Sequence, residues 1–232
     1  MNGTIHIKRN GRWVTFTGEY TPQTSVIQIL DELNLRENLI DRSGNPEPAI
    51  EYDCGCLESV CGVCAMVVNG KPCLPCSTFF GEVGPTVRIE PLSKFPLIHD
   101  LKVSRLAIER HLVQTGVWVD DDEEALVTES ELQYQSAACL HCGCCLEACP
   151  NYTGISGFYG PQWMNTLWVT CTQISDKHRL LSQHGKHGNN GCSKDQSCAT
   201  VCPQKIKIPA VISALNRERI KDIFLRKKKN GK

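Results

Sequence analysis

The spacing of the cysteines constrains this chain more than any other feature. Fifteen of its 232 residues are cysteine, which leaves two explanations, disulfides or metal. The count is odd, and most of the cysteines fall in tight runs, where neighbours chelate metal more readily than they staple distant segments. The segment Met1-Asn2-Gly3-Thr4-Ile5-His6 shows no charged stretch leading into an apolar one. No secretory signal is expected, and a reducing compartment disfavours disulfides.

Cys56, Cys61 and Cys64 follow C-x4-C-x2-C, and Cys76 lies beyond them. That is the plant-type [2Fe–2S] spacing: a loop converges three thiolates on the cluster and a separate strand brings the fourth. Gly55 and Gly62 allow the backbone close approach. The Asn69-Gly70 turn returns the chain so that Cys76 comes near the loop. Cys73 is the rival for the fourth position. A structural zinc site is the competing reading, but zinc favours paired C-x2-C knuckles over an x4 interval.

Cys139, Cys142, Cys145 and Cys149, followed by Pro150, form the bacterial ferredoxin run C-x2-C-x2-C-x3-C-P. Cys192, Cys198 and Cys202, followed by Pro203, repeat that run with Asp195 at the second cysteine position. In two-cluster ferredoxins the last cysteine of each run ligates the other cluster. That rule assigns Cys139, Cys142, Cys145 and Cys202 to a [4Fe–4S] cluster, and Cys192, Cys198 and Cys149 to a second one. Three thiolates suit a [3Fe–4S] cluster, whereas Asp195 as an oxygen ligand would hold a fourth iron, and the spacing is compatible with both. The cysteines left over, Cys54, Cys73, Cys144 and Cys171, read as buried small hydrophobes.

Lys+Arg and Asp+Glu balance at 25 each, so global charge points to neither nucleic acid nor a membrane surface. Thiolate ligation changes this locally, leaving about −6 over the three cluster sites. The basic end at residues 226–229 reads as a frayed, solvated tail, and the acidic run at 120–124 as a solvated loop. No apolar stretch is long enough to span a bilayer. His141 fills a spacer position and points away from the metal. His178, His184 and His187 read as part of a polar surface loop.

The residues up to about 100 read as α+β. Strands at 5–8 and 13–16 join around Asn10-Gly11. Thr24 or Ser25 caps a helix carrying Val26, Ile27, Leu30 and Leu33. A hairpin turns at Asn69-Gly70, and 87–91 forms a closing strand. A proline-containing linker is expected at about 92–102. Helices are then predicted over 103–114, from about Glu129, over 161–181 and over 209–225. The predicted architecture is a β-grasp plant-type ferredoxin domain over 1–100, followed by an all-α bacterial-ferredoxin-like domain over 103–232.

This order of motifs closely resembles the iron–sulfur subunit of succinate dehydrogenases and fumarate reductases. The resemblance includes Val68-Asn69-Gly70, Cys76-Ser77-Thr78-Phe79, Cys149-Pro150-Asn151-Tyr152, Tyr159-Gly160-Pro161 and Val201-Cys202-Pro203. It implies an electron-transfer subunit with no substrate chemistry of its own. Such a subunit works between an FAD-containing flavoprotein that interconverts succinate and fumarate and a quinone at membrane-anchor subunits. It belongs to the tricarboxylic acid cycle or to anaerobic respiration, and it lies peripherally on the cytoplasmic face of the cell membrane. Ubiquinone-linked members carry a Trp pair where this chain has Thr153-Gly154, and a His where it has Ser193, which points toward a prokaryotic enzyme using menaquinone or another low-potential donor. The alternative is the same relay serving a different flavoprotein dehydrogenase. A zinc-stabilised binding protein and a free-standing ferredoxin fit the motifs less well.

Overall fold

The computed structural model describes residues 1–119 and 130–230, with side chains up to 227 in the last helix. The chain divides into two compact units. One comprises Met1–Arg105 with Cys142–Glu147, the other Leu106–His141 with Ala148–Lys232.

The first unit is built on a mixed sheet. β1 (Asn2–Arg9) and β2 (Arg12–Glu19) pair antiparallel, with Ile5 opposite Phe16 and Ile7 opposite Val14. Asn10 and Gly11 both take positive φ, 46° and 88°, as a two-residue hairpin turn requires. β3 (Met66–Val68) and β4 (Lys71–Cys73) form the second hairpin around Asn69 and Gly70. β5 (Thr86–Glu90) lies parallel to β1 and antiparallel to β3. The order β2-β1-β5-β3-β4, crossed by helix α1 (Val26–Asn34), is the expected β-grasp arrangement.

Alternation places Ile5, Ile7, Phe16, Val87 and Ile89 on the buried face. α1 buries Val26, Ile27, Ile29, Leu30 and Leu33. Each such side chain contributes about 1.5–3 kcal/mol. Ser25 starts α1 with a capping box: its Oγ accepts from Gln28 N at 3.3 Å, and its own N–H donates to Gln28 Oε1 at 2.8 Å. α2 (Phe80–Val83) is a single short turn.

The linker expected at 92–102 is instead structured. β6 (Leu97–His99) and β7 (Lys102–Val103) form a small hairpin. Its turn residue Asp100 is fully buried. Asp100 Oδ2 accepts from Arg9 Nε at 3.1 Å, Arg9 Nη2 at 2.7 Å and the Glu51 N–H at 3.1 Å. Arg9, itself 2% exposed, also donates to the carbonyls of Pro48 and Ala49. The two buried charges are thus paired and hydrogen-bonded, the condition under which burial is tolerated.

The second unit is helical and contains no strand among its described residues. Its helices are α3 (Leu106–Thr115), α4 (Glu131–Ala137), α6 (Gly160–Cys171), α7 (His178–His187), α8 (Ser197–Thr200) and α9 (Ile208–Asn230). The short α5 (Cys144–Ala148) comes between α4 and α6 in sequence. Trp163, Met164, Leu167, Leu180, Val211 and Leu215 form the core, and Trp163 Nε1 donates to Thr115 Oγ1 at 3.0 Å. This sheet domain followed by a helical region is the fold class read from the sequence.

Several local expectations change. The helix predicted from residue 103 begins at Leu106, because Val103 belongs to β7. The helix predicted over 161–181 is two, α6 and α7, broken after Cys171, where Asp176 Oδ1 accepts from His178 N at 3.0 Å. His178, His184 and His187 lie on α7 rather than in a surface loop, and His184 is fully buried, 2.7 Å from Asn216 Oδ1. The basic end continues the helix to Asn230 instead of fraying. The acidic run at 120–124 and the helix start at Glu129 lie outside the described residues.

Candidate functional site

The plant-type loop and Cys76 converge within the first unit. Cys64 and Cys76 are buried, with their Sγ atoms 3.5 Å apart. Cys76 is carried by the turn Pro75–Ser77 that follows β4. Cys56 stands with Cys61. The Glu58 N–H donates to Cys56 Sγ at 3.3 Å, and with the Val60 amide and the Cys61 thiol it pulls the Cys56 thiol down to about 7. Burial pushes Cys64 in the opposite direction, up to about 12.

Amides aimed at a sulfur suit an anionic ligand, so this donor set fits a cluster-bound thiolate. Leu57 and Ser59 take φ of 58° and 59°, and Gly62 takes 73°, which curls the loop inward. A Cβ on Gly55 would lie 3.3 Å from Cys61 Sγ, consistent with the need for close approach there.

The bacterial-type residues divide between the units. Cys142 and Cys145 lie in the first, and Cys139 and Cys202 in the second. Within the first unit, Glu147 accepts from Ser93 Oγ at 2.6 Å and Lys94 N at 3.0 Å. A Cβ on Gly143, whose φ is 90°, would meet the Phe95 ring at 2.9 Å. The Cys142 thiol is drawn down to about 7, chiefly by hydrogen bonding with the Cys144 thiol. Cys144 is correspondingly pushed up, first by that bond and then by burial.

Within the second unit, Cys198 carries the electrostatic load of both Cys149 and Cys192; burial first, and those two neighbours next, raise it to about 11. The three thiols and Asp195 line one cleft with Phe158, Pro161 and Met164. A second cleft of ≈ 190 Å³ opens on Cys192 and Cys198 beside Ile212 and Asn216. Asp195 is exposed. Its Oδ1 accepts from the Ser197 N–H at 3.0 Å, and hydrogen bonds from the Ser197 side chain and backbone hold its carboxyl below the usual range.

Among the described residues no group of three or more His, Cys, Asp or Glu is disposed around a single metal ion. The leftover cysteines differ from one another. Cys144 and Cys171 are buried as expected, Cys73 is partly so, and Cys54 is exposed, contrary to the sequence reading. His141 is exposed and lies 3.3 Å from Thr166 Oγ1.

One residue beside the first site carries no sequence signal. Ser59 Oγ lies 3.7 Å from Cys76 Sγ. Once Cys76 is a ligating thiolate it has no proton to give, so Ser59 is the donor. Ser59 takes left-handed backbone, φ 59°, and nothing in the residue type announces that conformation.

Comparisons with known proteins agree with this geometry. The 2Fe-2S iron-sulfur cluster binding domain family matches residues 4–110, and the 4Fe-4S dicluster domain family matches residues 135–206. The succinate dehydrogenase iron-sulfur subunit of Bacillus subtilis is 32% identical over 211 residues, covering 86% of this chain and 83% of that protein. The fumarate reductase iron-sulfur subunit of Haemophilus influenzae is 28% identical over 233 residues, covering 91% and 88%. A chain of the Mycobacterium smegmatis Sdh1 complex in the apo form shares the fold, with a TM-score of 0.78 at 17% identity over 96% of this chain and 97% of that one. Among the described residues no helix is long and apolar enough to cross a membrane. Two cluster-binding domains in this order, and relatives matched along nearly their whole length, place the chain in the family of iron–sulfur subunits of succinate dehydrogenases and fumarate reductases, the electron-transfer component of an oxidoreductase.

Proposed function

We propose that the chain carries single electrons between an FAD-containing flavoprotein acting on the succinate/fumarate couple and a quinone held at membrane-anchor subunits on the cytoplasmic face. Bound iron–sulfur clusters supply one-electron redox chemistry, and the protein supplies their thiolates, orientation and electrostatics. Cys56, Cys61, Cys64 and Cys76 hold the [2Fe–2S] cluster. Cys139, Cys142, Cys145 and Cys202 hold the [4Fe–4S] cluster. Cys149, Cys192 and Cys198 hold the third.

The observation that carries this reading is the company Cys149 keeps. It belongs to the first ferredoxin run, yet it lines one cleft with Cys192 and Cys198 of the second, as the crosswise sharing of two-cluster ferredoxins requires. Three thiols and, among the described residues, no fourth in that cleft favour the three-iron form, with Asp195 exposed and its Oδ1 accepting from the Ser197 N–H. Thr153-Gly154 and Ser193 favour menaquinone over ubiquinone.

The test is to isolate the complex anaerobically and add succinate. Reduction of this chain's clusters by succinate, reversed by fumarate, is the expected result. Co-purification with a flavoprotein that neither oxidises succinate nor reduces fumarate would assign the relay to a different dehydrogenase.

A further inference from the structure

Helix α9 changes character along its length. Its first half buries Val211, Ile212, Ala214 and Leu215. Beyond Arg219 large apolar residues continue with no core to enter: Ile220 is 55% exposed, Ile223 42% and Phe224 65%. Spaced three and four apart, these three lie on one side of the helix.

The same stretch is strongly basic. Residues 217–229 hold seven Lys and Arg against two carboxylates, Glu218 and Asp222. Both carboxylates already have partners: Glu218 accepts from Lys221 at 2.7 Å, and Asp222 lies 2.7 Å from His178 Nδ1 and 3.3 Å from Arg226 Nε. Arg226, Lys227, Lys228 and Lys229 follow immediately after Leu225.

A surface that is both apolar and cationic needs an occupant that is both apolar and anionic. A second copy of this helix offers no free anionic counterpart, because both carboxylates on the stretch, Glu218 and Asp222, are already paired. An anionic lipid interface meets it, since the acyl boundary takes aromatic and aliphatic side chains while headgroup phosphates take lysines. We propose that the C-terminal part of α9 seats directly on an anionic lipid surface, with Ile223 and Phe224 entering the interface and the cationic sequence that follows them attracted by its charge to headgroup phosphates. This contact involves no cluster ligand and does not rest on the redox assignment.

The test is sedimentation of the full chain, purified anaerobically with its clusters, on vesicles of phosphatidylcholine alone or with 30% phosphatidylglycerol (about one lipid in three, enough for a strong surface potential). Binding at least tenfold tighter to the anionic vesicles, weakening as salt rises, is expected. Each of K227Q, K228Q and K229Q should weaken it about fivefold, and the pair I223S/F224S should weaken it more than tenfold. I98S, a substitution of an equally exposed isoleucine in β6 (57%), should leave it unchanged.

Equal binding to both vesicle types, no effect of I223S/F224S, or an equal loss with I98S would each overturn the proposal. So would sedimentation that occurs only when an integral membrane partner is reconstituted in the vesicles, which would make the strip a protein interface. Failure of vesicle binding leaves the cluster spectra untouched, so it is distinguishable from failure of the electron-transfer reading.

Discussion

Replacing Cys149 with Ala separates crosswise ligation from ligation within each run. With two, four and three irons the chain holds about nine. In the arrangement supported by the proximity of Cys149 and Cys192 to Cys198, the substitution removes one of three thiolates from the third cluster and none from the [4Fe–4S] set. Iron should therefore fall from about nine to about six per chain, with sulfide falling in step. The paramagnetic signal of the air-oxidised protein should drop below about a tenth of its wild-type spin count, because a three-iron cluster held by two thiolates does not persist. The signals of the reduced [2Fe–2S] and [4Fe–4S] clusters should remain at full intensity, which also reports that the chain is folded. The assay is anaerobic purification, iron and acid-labile sulfide analysis, and EPR in both redox states. If iron falls instead to about five, with the oxidised signal intact and the reduced [4Fe–4S] signal gone, Cys149 serves its own run and the reasoning is wrong.

Other expectations follow from single residues. Asp195→Cys completes the second run, so iron should rise by about one per chain and the oxidised EPR signal should vanish. An unchanged oxidised spectrum would mean that the cleft does not admit a fourth iron. Ser59→Ala removes the hydroxyl 3.7 Å from Cys76 Sγ and should lower the [2Fe–2S] midpoint potential in a redox titration. Ser59→Gly should lower it equally while relieving the left-handed backbone by about 1 kcal/mol; a potential shift in only one of the two variants would exclude the hydrogen bond. Asp100→Ala removes one of the two carboxylates paired with the buried Arg9 guanidinium, leaving Glu47 Oε2 at 3.4 Å, and should cost about 1.5–3 kcal/mol in urea unfolding. A loss under 1 kcal/mol would show that Arg9 finds solvent by rearranging.

The sequence made some of this legible because local chemistry decided it. Asn10-Gly11 and Asn69-Gly70 specify hairpin turns wherever they occur between alternating strands, and Ser25 with Gln28 writes a helix start into four residues. The cysteine runs point to iron–sulfur sites because ligand spacing is itself the geometry, and Asp195 keeps two forms of the third cluster in play. What stayed hidden was decided by tertiary neighbours. Asp100 looks like an ordinary turn residue, and only Arg9, ninety-one positions away in sequence, makes it a buried anchor and its linker a hairpin. α7 carries too few apolar residues to advertise a helix, because the histidines on it serve as packing groups: His187 stacks on Tyr159 at 4.2 Å, and Tyr159 stacks on His111 at 3.9 Å. Cys54 shows no difference from its buried counterparts until its surroundings are known.

The company Cys149 keeps also dictates an order of events during synthesis. If Cys149, Cys192 and Cys198 share one cluster and Cys202 completes the other, neither helical-region cluster can close until α8 has left the ribosome, however long the first run has waited. The [2Fe–2S] set is complete once Cys76 emerges, with β5 still to join the sheet. A nascent chain halted between 150 and 191 would then hold its first cluster while Cys139, Cys142, Cys145 and Cys149 stay unmetallated. That interval is where oxygen and stray metal ions compete with cluster delivery, so oxidative damage during translation should fall on the first ferredoxin run and spare the cysteines of the plant-type loop.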